Sequence, residues 1–118
     1  MGDRVLFQVV RKGTEDFGPV VYGHWSGSDA PRIVSALADR MAARPGDVEY
    51  ATARLVQECV ALYPDGNTGF GVWSATARLT EENTHGDAGV VLIDCADGFK
   101  CECLGGYLRT GPDGFPTN

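Results

Sequence analysis

Long apolar runs are missing from this 118-residue chain. No stretch approaches the ~20 consecutive apolar residues that a membrane-crossing helix needs. The opening Met-Gly-Asp-Arg-Val-Leu-Phe-Gln is too short in apolar residues for a signal peptide and lacks a small-residue cleavage site. Leu6 stands where a myristoylation pattern requires Ser or Thr. These absences lead to the expectation of a cytoplasmic protein with no membrane partner. Positive charge is also scarce: ten Lys and Arg oppose sixteen Asp and Glu, for a net charge of −6. An acidic domain is repelled by phosphate, so no direct nucleic-acid binding is expected. A basic partner, or a protein that itself binds nucleic acid, suits the charge better, although solubility alone accounts for most such acidity.

The usual signatures of chemistry are absent as well. There is no Gly-x-Ser-x-Gly elbow and no His-Glu-x-x-His. The glycine-rich run 66–71 precedes a strand rather than a helix, the wrong context for a phosphate-binding loop; a turn followed by close backbone approach is expected instead. Four cysteines lack the Cys-x-x-Cys spacing of zinc sites. Cys59 falls in a helical pattern, Cys95 ends a strand, and Cys101 and Cys103 share one strand face. They read as reduced, buried small hydrophobes. Glu82, His85 and Asp87 share one loop but lack calcium-loop spacing. Neither a metal nor a cofactor is expected.

What is present is the material of one globular domain, 43% apolar and 22% charged. Residues 4–10 alternate as a strand, with Val5, Phe7 and Val9 on one face and Leu6, Gln8 and Val10 on the other. A polar connection over 12–19 leads to a second, antiparallel strand over 20–25. Ser28 or Asp29 then caps a helix with Pro31 in its first turn and a stripe of Ile33, Val34, Leu37 and Met41. Arg44-Pro45-Gly46 ends it. Asp47 caps a second helix, striped by Val48, Ala51, Leu55, Cys59 and Leu62. Val56, Val60 and Tyr63 widen that stripe and predict the more buried helix of the two. Residues 63–67 read as the turn that closes it.

Residues 69–79 read as one long strand and 80–89 as a polar loop. The apolar run 90–95 predicts a central strand, and Asp97-Gly98 a hairpin into a last strand over 99–104. Order β-β-α-α-β-β-β, with strands and helices segregated, predicts an α+β two-layer sandwich. Its mostly antiparallel five-stranded sheet would carry both helices on one face. The domain is expected over 1–104, with 105–118 a Gly/Pro-rich tail, loose or lying along the surface.

The stretch 20–29 holds one of two histidines and one of two tryptophans. His24 could act as a general base or a ligand. A triad would also need a nucleophile and an orienting carboxylate. The simpler reading has Trp25 plugging the core while His24 bonds a loop carbonyl. Ser26-Gly27-Ser28-Asp29 at a helix start could hold an anion, but Asp29 and Pro31 oppose it.

Taken together, Tyr22-Gly-His24-Trp25-Ser-Gly27, Tyr50-Ala-Thr-Ala53-Arg54, Thr68-Gly69-Phe70-Gly71 and the strand 90–94 resemble a group of small bacterial and phage proteins. These carry a Tyr-x-His-Trp-x-Gly motif, a Tyr-x-x-Ala-Arg helix and a Thr-Gly-[Phe/Tyr]-Gly strand. The resemblance spans most of the domain, departs at Ser26, and implies a mobile-element or gene-cassette setting but no activity. Tyr22, His24, Trp25, Arg54 and Asp94 are the candidate binding residues, and His24 the one catalytic candidate. If Tyr22, His24 and Arg54 converge, they form a polar pocket beside aromatic walls; otherwise Arg54 pairs with Asp94 as a buried tie. The leading expectation is a non-enzymatic accessory protein that binds a protein or small molecule. The alternatives are a small hydrolase using His24 as general base, oriented by Asp94 or another carboxylate, and an acidic inhibitor of a nucleic-acid-binding defence protein. A homodimer through an uncovered sheet face including Phe70 and Val72 is also expected.

Overall fold

The computed structural model describes residues 2–62 and 69–118. It has the α+β architecture expected from the element order. The strands are β1 (Val5–Val10), β2 (Phe17–Gly23), β3 (Phe70–Trp73), β4 (Gly89–Asp94) and β5 (Lys100–Leu104), joined in the order β3-β2-β1-β4-β5. All neighbours are antiparallel except β1 and β4, which run parallel from Val5 beside Gly89 to Val10 beside Asp94. A short hairpin follows, β6 (Arg109–Thr110) with β7 (Pro116–Thr117).

Both helices, α1 (Ala30–Met41) and α2 (Val48–Ala61), pack on the same sheet face. Alternation along β1 sends Val5, Phe7 and Val9 into that layer with Val21, Val91 and Ile93. The stripe of α1 is buried as patterned: Ile33, Val34, Leu37 and Met41. In α2, Ala51, Leu55 and Cys59 are buried, whereas Val60 is exposed. The wider stripe therefore does not make α2 the more buried helix. Its expected member Tyr63 and the turn at 63–67 lie outside the described residues. The Asp47 carboxylate caps α2 by accepting from the Tyr50 N–H at 2.9 Å.

The strand expected over 69–79 ends at Trp73. Residues 74–79 leave the sheet and cross its second face as a strap, where Ala75 and Leu79 pack with Leu6, Val10, Val20, Val90 and Leu92. The cause is Gln8. Fully buried on that face, its amide donates to the carbonyls of Gly18 (3.0 Å) and Ala77 (3.2 Å) and accepts from the Leu79 N–H (2.8 Å). A strap held by a side-chain amide covers the second face, so β1 is buried on both of its faces.

The tail is also part of the structure. Leu108 is buried in the helix-side core, Phe115 packs against it, and the Cys101 N–H donates to the Gly114 carbonyl at 2.6 Å. The hairpin thus lies along the domain rather than hanging loose. All four thiols are free. Burial pushes the Cys59 thiol up to about 12 and that of Cys101 higher still, as expected of inert core cysteines. Among the described residues, no helix is long and apolar enough to cross a membrane.

Gln8→Leu keeps the volume but strands two buried backbone groups, the Gly18 carbonyl and the Leu79 N–H, and also the Ala77 carbonyl, whose hydrogen bond is partly buried. It is expected to cost about 3 kcal/mol, read from the midpoint shift in denaturant unfolding; a loss of under about 1 kcal/mol would show that the strap does not need the amide.

Candidate functional site

The polypeptide turns sharply where β2 ends, and the residues singled out there gather at one corner of the sheet. Tyr22 points to the strap side, opposite Val21, and its hydroxyl meets His24 Nδ1 at 2.7 Å. The Trp25 ring stands edge-on to the His24 ring with centroids 4.5 Å apart. From β3, Trp73 lies 5.7 Å from Tyr22; from the loop beyond the strap, His85 lies 5.5 Å from Tyr22 and stacks on Trp73 at 6.4 Å. Both histidines and both tryptophans of the chain therefore join one aromatic cluster. The sequence pointed to Tyr22, His24 and Trp25. Trp73 and His85 were not legible as members, because only the path of the strap brings them there.

His24 is half-buried and closely walled. A Cβ at Gly69 would come within 2.8 Å of the His24 Cβ and 2.9 Å of Trp25 Cδ1, and one at Gly2 within 2.9 Å of His24 Nε2. Glycine at 69 therefore meets the expected requirement for close backbone approach. Trp25 does not plug the core: it is 49% exposed, and Trp73 43%. Among the described residues, no carboxylate and no Ser or Thr hydroxyl hydrogen-bonds the His24 ring.

The other candidates lie elsewhere. Arg54 is on α2, across the sheet from the Tyr22 ring. Its guanidinium donates to the Tyr50 hydroxyl at 2.6 Å and to Gln57 Oε1 at 3.1 Å. Arg44 and Arg54 both sit over the Tyr50 ring, at 4.1 and 4.5 Å. Asp94 ends β4 beside Val10, while His24 follows Gly23, which pairs with Val5. The length of β1, roughly 16 Å at about 3.3 Å per residue, separates them. The pocket of Tyr22, His24 and Arg54, the Arg54–Asp94 tie and the orientation of His24 by Asp94 are thus all excluded by sheet geometry.

The helix-start segment that could have held an anion already holds one. Asp3 accepts from the Ser28 N–H at 2.8 Å and from the Tyr107 hydroxyl at 2.6 Å, while neither Ser26 nor Asp29 caps by its side chain. Ser26 Oγ is buried and has no hydrogen-bond partner among the described residues. Acidic residues distant in sequence do meet in a groove of about 760 Å³ lined by Glu15, Asp16, Asp47 and Glu49, with Arg44 among them. Asp16 and Asp47 are engaged there by Arg11 (3.8 Å) and Arg44 (3.3 Å). Among the described residues, no cluster of His, Cys, Asp or Glu has the arrangement to hold a metal.

No family model, curated protein or solved structure matches the chain.

Beside the aromatic corner, Asp87 sits in a left-handed conformation (φ 54°) and binds Arg4 through both the backbone N–H (3.1 Å) and Nε (2.9 Å). The Arg4 hydrogen bonds hold its carboxyl below the ordinary aspartate range. A depressed carboxylate contributes stability above its unfolded value, and that contribution is lost as pH falls through the folded one. Asp87→Asn tolerates the left-handed backbone and is expected to flatten the acid limb of stability below about pH 4. An acid limb that superimposes on the wild type would show that this pair does not contribute.

Proposed function

We propose that the protein is a non-enzymatic binding module of the accessory kind implied by its resemblance to mobile-element proteins, and that it contacts a polypeptide partner through the aromatic corner. The observation that carries this reading is the pairing of two half-exposed tryptophans with a supporting bed of Tyr22, His24 and His85. Large aromatic rings that are fixed in place and still open to solvent are the side chains that dominate protein–protein contacts. Catalysis is not favoured, because among the described residues no carboxylate and no Ser or Thr hydroxyl hydrogen-bonds the His24 ring, whose Nδ1 is taken by the Tyr22 hydroxyl, and Gly2 lies close to its second nitrogen. A net charge of −6 favours a neutral or basic partner over an acidic one.

The test uses the doubly substituted Trp25→Ala/Trp73→Ala protein beside the wild type as bait in extracts of the source cells. With folding verified by circular dichroism, the reading predicts that proteins retained by the wild type are lost by the double variant. Identical retained sets would contradict it.

A second copy of the chain is a further candidate, through the β3 edge rather than the uncovered sheet face expected, because Phe70 packs against the helix-side core and the strap covers the other face. The His24 N–H bonds the Gly69 carbonyl at 2.7 Å, so by antiparallel parity the Tyr22–Gly71 and Val20–Trp73 pairs also exchange bonds. The Val72 backbone then faces away from β2, and its side chain is 53% exposed. Sedimentation at micromolar concentration is expected to give a dimer mass that Val72→Lys converts to monomer. A monomer for the wild type would remove this reading and leave the hetero-partner.

A further inference from the structure

At the other end of β1, away from the aromatic corner, a slot of about 230 Å³ opens on the strap side of the sheet. Val10 and Leu92 form its apolar floor. It lies beyond the carboxyl ends of β1 and β4, the sheet's parallel pair.

Asp94 lines this slot and is only 4% exposed. Its Oδ1 is fully engaged, accepting from the Ala96 N–H at 3.0 Å and the Lys12 N–H at 3.3 Å. That turn is a sufficient structural role for one oxygen. Among the described residues nothing donates to Oδ2. Oδ2 is not sealed in either, since Ser26 Oγ is the sole sealed and unpartnered side-chain oxygen or nitrogen among those residues. A nearly buried carboxylate with one oxygen unbonded and open to a slot calls for a donor there.

The signs of the walls define that donor. Lys12, after β1, and Arg78, on the strap, line the slot beside carboxylates contributed by Asp94 and Glu102 of β4 and β5. Lys12 Nζ and Glu102 have no ion-pair partner among the described residues. Lys100 is turned to Asp97 at 3.8 Å. Arg78 gives one nitrogen to the carbonyls of Arg11 and Thr14, leaving its remaining donors for another acceptor. Among the described residues no cluster of His, Cys, Asp or Glu has the arrangement to hold a metal, which favours an organic cation over a metal ion. The slot is also smaller than the roughly 300–1,000 Å³ of a drug-sized site.

We propose that this slot binds a small zwitterion of the α-amino-acid class, with its ammonium on Asp94 Oδ2 and its carboxylate on Lys12 and Arg78. This site is independent of the aromatic corner and survives if the polypeptide reading fails.

The experiment is an NMR titration of isotope-labelled full-length protein with L-alanine, and with acetate and methylammonium as its two halves. Saturable shifts are expected at residues 10–12, 92–97 and 100–102, with each half binding at least about tenfold more weakly than the whole. Asp94→Asn preserves the Oδ1 acceptor, so the turn and the melting temperature should be retained. Its amide presents N–H where Oδ2 was, so alanine affinity should fall about tenfold or more. Should that variant fail to fold, Lys12→Met, at an exposed side chain, makes the same comparison at the carboxylate end. No saturable shift at millimolar alanine, an unchanged affinity in a folded variant, or either half matching the whole would overturn the proposal.

Discussion

Everything distinctive in this fold depends on the burial of β1 on both of its faces. All six of its residues are buried, and one of them, Gln8, is polar. A buried amide needs partners for both its donor and acceptor ends. Here they come from the β2 backbone and from a segment that belongs to no regular element. That requirement draws residues 74–79 across the sheet and closes the second face with a strap instead of a helix. The strap and the loop after it make the crossover from the β3 edge, past β2 and β1, to β4, which pairs parallel with β1.

The two surfaces of interest follow from this arrangement. The strap leads from Trp73 toward the loop that carries His85, and the path of the two brings both rings to Tyr22 at the end of β2. The same strap delivers Arg78 to the far end of β1, opposite Asp94. One crossing segment therefore contributes to an aromatic corner at one end and a charged slot at the other. Sheet geometry keeps them apart and prevents His24 and Asp94 from forming a catalytic pair. The helix-side layer carries neither surface; Arg54 there serves the Tyr50 stack and the outer surface of α2.

Local patterning made the architecture legible. Period-two alternation in 4–10, the helical stripe of Ile33, Val34, Leu37 and Met41, the Asp47 cap and the continuous apolar run of β4 each predicted their own element. The failures that changed the architecture were non-local. Residues 69–79 alternate like a strand along their whole length, and only the side chain of Gln8, some seventy residues earlier, determines that the last six leave the sheet. The tail carries many turn-forming residues, yet Leu108 and Phe115 hold it against the core. Of the five candidate residues, Tyr22, His24 and Trp25 assemble because they are adjacent in sequence. Arg54 and Asp94 do not join them, because face and strand end are set by topology, which residue type and spacing do not encode.

The most direct measurement is native-state hydrogen exchange at the Leu79 amide. This N–H lies in an irregular segment and would ordinarily exchange on the timescale of a loop. Since its acceptor is the buried amide of Gln8, the account predicts protection comparable with the amides of β1 itself, lost together with them on global unfolding. Fast exchange of Leu79 while β1 remains protected would show a strap that is merely resting on the sheet, and both surfaces would lose the element that positions them.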